Sequence, residues 1–548
     1  MFAVVFAFVF LLHLPLLRLP YFWDEAGYYI PAARDILLRA SFIPQSTVSN
    51  AHPPLVMTWV ALWWKVVGYA PLVTRTAMLV LAAFSLLGVF RLTERVANTQ
   101  VAITATLCTA VYPVFFAQSS LAHVDLAAAG FIFWGLSAYV EGQLVTTTVW
   151  FSLAALAKET AILAPIALAG WELVGALARK TSFHTFWMPS DEREDEDRVA
   201  GQLRSGAMPR IASLMVPALS LALWYLYHYT RTGYVFGNPE FFRYNVAATL
   251  SPTRFLLALA MRLWQITGYL HLWILTVAML LAIWLFPPQR DSDMGADRDI
   301  DKAGGRIGLP VQMIFYAVIV AYVVAMALIG GAVLARYMLP AVPLVIILSV
   351  STLWRRLPFW RAVIAFVVLA FVAAWFWNPP YGFSPEDNLA YRDYIVMHED
   401  AERFLEARYP MAHVLTAWPA SDELSRPWLG YTTRPMSVVR IEDFSLDEVF
   451  SAADFHSDSS RPSFEVALVF STKYEPGPAR WDRWRTWTEW KTRFFGFHRD
   501  VPPAAAAQIL GGHIVFSERR KGQWIAVIEM DRGEMQNAES RIPKRGAK

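Results

Sequence analysis

Apolar stretches separated by short polar turns run through the first 377 residues of the chain. A hydrocarbon core of about 30 Å requires about 20 apolar residues to be crossed by a helix. The pattern therefore predicts eleven membrane-spanning helices, of which 145–158 is the shortest. They cover residues 1–18, 71–91, 100–118, 121–140, 145–158, 160–178, 211–229, 264–286, 310–333, 337–354 and 359–377.

The pattern changes after Trp377. Strand-like runs at 413–418, 436–441 and 464–471 alternate with two helix-like segments, and residues 513–530 read as a hairpin that turns at Lys521-Gly522. We therefore expect a transmembrane domain at 1–377 with a functional first outer loop at 19–70. An α/β domain at 378–531 and a disordered tail at 532–548 should follow.

The composition supports a polytopic α-helical membrane protein. Hydrophobic residues make up 56% and charged residues 17% of the chain, and the mean hydropathy is +0.36. Soluble domains carry about 25% charged residues. The formal net charge of +3 gives no reason to expect a nucleic-acid partner, and the single cysteine, Cys108, permits no intramolecular disulfide.

Basic residues predict how the chain is oriented in the membrane. Cytoplasmic loops carry an excess of Lys and Arg, which places the polar loops 179–210 and 288–308 in the cytoplasm. The first outer loop and everything after Trp377 then lie on the opposite side. We therefore expect an integral protein of the plasma (inner) membrane with an extracytoplasmic C-terminal domain.

Ionisable residues concentrate at the predicted outer face. Charged side chains are rare and costly within a membrane, so their default interpretation is functional. The cluster consists of Asp24, Glu25, His52, His123, Asp125, Lys158, Glu159 and Arg336.

Each of these residues also has a purely structural interpretation. Asp24 and Glu25 could be solvated at a helix end, and His123 could satisfy a backbone carbonyl. Lys158 and Glu159 could neutralise each other. Asp125 and Glu159 could hold a divalent ion, although no metal site is predicted here.

A carboxylate opposite cationic side chains at a membrane surface suits the transfer of a sugar from a lipid phosphate. The cations stabilise the phosphate as it leaves, and the carboxylate takes the proton of the attacking hydroxyl. Direct displacement with one base and no carboxylate nucleophile inverts the anomeric centre.

Five short motifs resemble the GT-C polyprenyl-phosphate-sugar glycosyltransferases of the family 39 type, the group of the protein O-mannosyltransferases and the lipid A aminoarabinose transferase. They are WDEAGYY (23–29), AHPPL (51–55), AHVD (122–125), LAKET (156–160) and ARYMLP (335–340).

The resemblance implies a GT-C fold over residues 1–377 and an enzyme that transfers a hexosyl or pentosyl group. It implies catalytic roles for Asp24 and Glu25, with Asp24 as the base. His52, Lys158 and Arg336 would contact the donor phosphate, supported by His123, Asp125, Glu159 and Tyr337.

The implied partners are a polyprenyl-phosphate sugar donor, membrane lipids and an acceptor that is a glycolipid, a polysaccharide or a protein. No cofactor is implied.

Two other functions remain open from the sequence. A transporter or flippase of a lipid-linked sugar would show charges at the midplane and an inverted repeat, which the sequence does not show. A membrane-anchored envelope assembly protein would leave Lys158 and Arg336 unexplained.

The segment ARWDRWRTWTEWKTRFFGF (479–497) repeats Trp at intervals of three among basic residues. Trp and basic residues are both favoured at a membrane surface, so this segment is predicted to dock the outer domain on the bilayer. The alternative is that its Trp residues form the core of the domain.

Overall fold

The computed structural model describes residues 1–180, 207–237, 251–288, 306–329, 331–457, 464–474, 484–495 and 497–531. Most of both predicted cytoplasmic loops and the whole of the tail 532–548 lie outside these ranges. The described chain forms two compact units. Met1–Leu17 and Tyr28–Trp377 form the first unit, and Arg18–Gly27 joins Asn378–Lys548 in the second.

The described part of the first unit is helical. Its helices are α1 (Phe2–His13), α2 (Ile30–Arg39), α3 (Leu55–Val67), α4 (Pro71–Val96), α5 (Thr99–Val111), α6 (Pro113–Gln118), α7 (Asp125–Val140), α8 (Leu144–Ala157), α9 (Leu163–Lys180), α10 (Ala207–Thr232), α11 (Pro252–Thr267), α12 (Leu272–Leu285), α13 (Leu309–Leu328), α14 (Val342–Arg356) and α15 (Trp360–Phe376).

Local backbone chemistry explains where two predicted spans are broken. Pro113 lacks an N–H group and disfavours a helical conformation at Tyr112, so the predicted span 100–118 divides into α5 and α6. Leu270 and His271 have positive φ angles, and they separate α11 from α12 within the predicted span 264–286.

Among the described residues, five helical stretches are long and apolar enough, by length and composition, to cross a membrane. They are Pro71–Val96, Glu159–Leu177, Ala207–Thr232, Pro252–Leu285 and Leu309–Leu328. Shorter apolar helices, including α1, α5, α7, α8 and α15, accompany them. The total of eleven spans stays a prediction.

The described part of the second unit contains a five-stranded mixed sheet with the order β2-β1-β3-β5-β4. Strand β1 (His413–Ala417) pairs in parallel with β2 (Ser437–Ile441) and β3 (Val466–Phe470). Strand β5 (Gln523–Met530) pairs antiparallel with β3 and with β4 (Gly512–Arg520). All five residues of the central strand β3 are buried.

The helices of the second unit are α16 (Ala390–Arg408), α17 (Ala420–Ser425), α18 (Leu446–Ser457), α19 (Arg485–Phe495) and α20 (Pro503–Leu510). Helix α16 packs on β4 and β5, and α17 packs on β1 and β2. The predicted strands and the turn at Lys521-Gly522 are confirmed, with positive φ at both turn residues. A helical membrane protein followed by an α/β domain is therefore the fold that the sequence predicted.

Candidate active site

Four of the predicted site residues meet at helix ends in the first unit. Asp125 is the first residue of α7, and His123 lies two residues before it. Lys158 directly follows α8, and Arg336 lies in the short turn Ala335–Met338 that precedes α14. Side chains at helix termini can converge without interrupting the apolar faces that pack the bundle, so the sequence can carry these charges without breaking the helices.

Asp125 is the common partner of the two cations. Its Oδ1 accepts an ion-pair hydrogen bond from Nζ of Lys158, and its Oδ2 lies 3.4 Å from Nε of Arg336. All three side chains are buried. Nδ1 of His123 lies 3.2 Å from Nη1 of Arg336, which places the imidazole in the same cluster.

Arg75 on α4 is a further member of the cluster that the sequence analysis missed. It is buried, its Nη1 donates to the Ser120 carbonyl at 2.9 Å, and it acts electrostatically on His123 together with Arg336 and Lys158. A single charge inside the apolar 71–91 span was the available signal. Arg75 is therefore a third buried cation close to His123.

Tyr337 lies between the cations. Its ring centroid is 4.0 Å from Nζ of Lys158 and 5.7 Å from Cζ of Arg336. Arg262 approaches the same ring at 5.5 Å. The negative face of an aromatic ring attracts cations, so Tyr337 helps to hold the cationic side chains in place.

Arg262 and Gln265 of α11 position the turn that carries Arg336. Arg262 Nη1 donates to the Leu334 carbonyl at 2.7 Å, and Gln265 Nε2 donates to the Val333 carbonyl at 2.9 Å. Neither residue was predicted, because their spacing on α11 shows nothing about a loop some 70 residues later in the chain.

His52 and Glu159 form a second pair. Nδ1 of His52 is 3.0 Å from Oε2 of Glu159, and the imidazole stacks on Tyr29 with centroids 5.9 Å apart. Lys158 and Glu159, adjacent in sequence, therefore have different partners. The interpretation of these two residues as a pair that only neutralises itself is wrong.

Helix α10 holds the backbone that precedes His52. Trp224 Nε1 donates to the Ala51 carbonyl at 2.8 Å, and Nε2 of His228 lies 2.9 Å from Oγ of Ser49. Ala51 adopts a φ of 58°, a conformation that costs free energy in a residue with a Cβ atom. These contacts therefore hold the strained backbone in place immediately before His52.

Asp24 and Glu25 belong to the second unit. Tyr21 N donates to the Leu429 carbonyl at 3.3 Å, and the rings of Trp23 and Trp418 contact each other edge to face at 5.1 Å. Glu25 is fully buried, and its Oε2 accepts a hydrogen bond of 2.8 Å from Phe22 N. Asp24 is half-buried.

Comparison with solved structures shows that the fold is a known one. The structure matches the crystal structure of ArnT from Cupriavidus metallidurans bound to undecaprenyl phosphate with a TM-score of 0.51 and 13% identity, over 96% of this chain and 97% of that one. The apo ArnT structure matches with a TM-score of 0.50 and 12% identity over the same shares of the two chains. The chain has the GT-C fold.

A third match is the oligosaccharyltransferase of Archaeoglobus fulgidus, with a TM-score of 0.45 and 12% identity, over 96% of this chain and 72% of that one. No family model and no curated protein sequence matches the chain. The fold is therefore recognised from the structural similarity to the two ArnT structures, not from overall sequence similarity.

The hypothesis of a divalent ion held by Asp125 and Glu159 finds no support in the geometry. Asp125 is engaged by Lys158 and Arg336, and Glu159 is engaged by His52. Arg75, Lys158 and Arg336 are buried cationic side chains, and such side chains can bind an anionic ligand.

Proposed function

We propose that the protein is a membrane glycosyltransferase that transfers a sugar from a polyprenyl-phosphate-linked donor to an acceptor. The observation that carries the proposal is the buried cluster in which Lys158 and Arg336 both pair with Asp125, with Arg75 buried close by. Buried charge is costly unless it is compensated. A bound phosphate group would accept several charge-assisted hydrogen bonds from these cations.

The chemistry that such a cluster favours is departure of a phosphate. As the bond between the sugar C1 and the phosphate oxygen breaks, the electron pair stays on that oxygen. Arg336 stabilises this charge with a planar set of N–H donors, and Lys158 stabilises it as a compact ammonium. Tyr337 and Asp125 position these two cations before the donor binds.

The polyprenyl carrier is proposed by comparison. One of the two ArnT structures contains undecaprenyl phosphate. A lipid of this class places its phosphate at the headgroup level of the bilayer, where membrane helices end. Asp125, Lys158 and Arg336 also lie at or next to helix ends. The acceptor stays open among a glycolipid, a polysaccharide and a protein, and the sugar among hexoses and pentoses.

Asp24 is the proposed general base. It accepts the proton of the acceptor hydroxyl while that oxygen forms its bond to C1, and the configuration at C1 inverts. The role rests on the sequence motif WDEAGYY and on the partial exposure of Asp24. Glu25, which the motif also made a catalytic candidate, is assigned a positioning role because its carboxylate holds the Phe22 N–H.

His52 is the remaining proposed phosphate contact, and Glu159 orients its ring. The His52 imidazole could donate to the phosphate only from the nitrogen that does not face Glu159. The proposed location is the plasma (inner) membrane, with the first outer loop and the second unit outside the cytoplasm.

The test uses purified full-length protein, radiolabelled polyprenyl-phosphate sugars of several kinds and an envelope extract as acceptor. We expect wild-type protein to release polyprenyl phosphate and to label a glycolipid, polysaccharide or protein. Movement of the intact donor across a proteoliposome membrane, without release of polyprenyl phosphate from any donor, would instead establish a flippase. Labelling of cysteines introduced after Trp377 in a Cys108→Ser background by an impermeant reagent tests the orientation.

A further inference from the structure

Three ionisable side chains meet in the interior of the second unit. His398 and Glu402 lie one helical turn apart on α16, and Glu423 lies on α17. Nδ1 of His398 is 2.7 Å from Oε2 of Glu423 and 3.8 Å from Oε1 of Glu402. One ligand atom from each of the three residues lies within 4.8 Å of the other two.

All three side chains are removed from solvent, with exposures of 1% for His398 and 0% for both glutamates. Among the described residues, no hydrogen-bond partner reaches Nε2 of His398, either oxygen of Glu402 or Oε1 of Glu423. Buried polar atoms in folded proteins are nearly always paired, so four such atoms in one cluster require an explanation.

Among the described residues, the ion pairs of Glu402 and Glu423 are those with His398 alone. The carboxylates of Glu402 and Glu423 both lie next to the same imidazole, that of His398. The ring of Tyr394 stacks on His398 at 3.9 Å, and Phe470 contacts the imidazole edge to face at 4.7 Å. Burying two adjacent carboxylates beside aromatic rings costs free energy unless a cation compensates their charge.

The geometry points to a structural site for a divalent transition-metal ion of the Zn²⁺ type, held by His398, Glu402 and Glu423. An imidazole nitrogen and two carboxylates are a ligand set that Zn²⁺ accepts, whereas Ca²⁺ and Mg²⁺ prefer oxygen ligands alone. The two carboxylate charges match a divalent cation. A carboxylate that binds through both oxygens, or a water molecule, completes the four-coordinate shell that structural zinc prefers.

Such an ion would stabilise the surface against which Arg18–Gly27 packs; this stretch contains Asp24 and is called the Asp24 segment below. Tyr394 lies one helical turn before His398 and contacts the rings of Phe22 and Trp23, at 5.2 Å and 5.8 Å. Trp418, which precedes α17, contacts Trp23 from the other side. An ion that joins α16 to α17 therefore fixes both walls around Trp23. The site itself is independent of the proposed transferase activity.

The experiment measures zinc in purified full-length protein from which any histidine tag has been cleaved. The protein is stripped with a chelator, titrated with Zn²⁺ against a competing metal dye, and analysed for metal by mass spectrometry after dialysis. We expect one tightly bound zinc per chain in the wild type and a higher thermal unfolding temperature with zinc than without it.

Glu402→Gln removes the charge of one ligand and keeps the shape of the side chain. Among the described residues, none donates a hydrogen bond to the Glu402 side chain, so the substitution breaks no such bond. We expect zinc affinity to fall by more than about 100-fold, because outer-shell partners alone are worth about 10–100-fold. Glu423→Gln should act in the same way and provides a second variant if the first does not fold. Glu399→Gln, on the same helix but paired with Arg403, is the matched control and should bind zinc normally.

Two results would overturn the site. Folded, stripped wild-type protein that takes up no zinc would show that Glu402 and Glu423 share a proton instead. Equal zinc binding by wild type, Glu402→Gln and Glu423→Gln would place the bound metal elsewhere. Neither result bears on release of polyprenyl phosphate, so the metal site and the proposed function fail separately.

Discussion

Asp125 and Arg336 are far apart in sequence, but Oδ2 of Asp125 lies 3.4 Å from Nε of Arg336 in the first unit. Each side chain is only 3% exposed. Asp125 also pairs with Lys158, so one carboxylate contacts two cations. Removal of one partner from a buried ion pair leaves an uncompensated charge. Asp125 therefore positions both cations.

Asp125→Asn should destabilise the protein by about 3–5 kcal/mol, the usual effect of breaking a buried ion pair from one side. The measurement is thermal unfolding of the purified protein. Glu141→Gln breaks the partly exposed pair with Arg95, in which Glu141 Oε1 is 3.7 Å from Nε of Arg95, and should cost no more than about 1 kcal/mol. Equal stability of the two variants would show that Asp125 does not compensate Lys158 and Arg336.

Arg336→Ala should raise the KM for the lipid-linked donor and lower kcat as well, because the guanidinium contacts phosphate in both the ground state and the transition state. Arg336→Lys keeps the charge but loses the planar donor array, so it should recover only part of the activity. Arg91→Ala removes an exposed arginine paired with Glu94 and serves as the control. Unchanged donor turnover in Arg336→Ala would remove Arg336 from the site.

Asp24→Asn keeps the shape of the side chain but removes its ability to accept a proton. We expect kcat to fall by about 10²–10⁴-fold, the usual contribution of a general base, with little change in donor binding. Glu25→Gln is the contrasting variant, because its amide oxygen can still accept the Phe22 N–H. It should keep most of the activity, and a loss equal to that of Asp24→Asn would mean that the roles of Asp24 and Glu25 are misassigned.

Gly27 is packed too closely for any side chain. A Cβ atom at this position would lie 2.7 Å from Cζ2 of Trp418. Gly27→Ala should cost about 1–3 kcal/mol through overpacking and should loosen the Asp24 segment. Limited proteolysis between Arg18 and Gly27, together with thermal unfolding, measures both effects.

Trp418→Leu provides the complementary change, since it removes the atoms that the new methyl group would meet. The double variant Gly27→Ala/Trp418→Leu should be more stable than the sum of the two single effects predicts. Simple additivity would show that Gly27 and Trp418 do not interact through this contact.

Helix α19 has no buried residue in the structure, and Trp484 is 63% exposed. The interpretation of Trp484, Trp487 and Trp490 as a domain core is therefore wrong, while Trp481 lies outside the described residues. The membrane-docking hypothesis predicts slower amide hydrogen exchange over 485–495 in nanodiscs with anionic lipid than in neutral ones.

Lys491→Glu/Arg493→Glu reverses the charge of α19 next to its aromatic residues and should abolish the difference between anionic and neutral nanodiscs. Arg519→Glu on β4 changes the same kind of charge elsewhere in the unit and should leave the difference intact. Exchange in α19 that is independent of lipid charge in the wild type would contradict docking on an anionic surface.

The local pattern of apolar and polar residues was sufficient to predict much of the secondary structure of this protein. Apolar run length predicted the membrane helices, and alternating strand runs with a Lys521-Gly522 turn predicted the sheet of the second unit. Both are consequences of burial periodicity, which is encoded within a few neighbouring residues. The same logic identified Asp125, Lys158 and Arg336, because isolated charges stand out in apolar surroundings.

Only the tertiary structure decided which residues become partners. Lys158 pairs with Asp125, while Glu159, next to it in the chain, pairs with His52. Helical spacing relates His398 to Glu402, but the packing of α17 on the sheet brings Glu423 to them. Such contacts depend on how whole helix faces pack across long sequence separations, and no periodicity within a single segment contains that information.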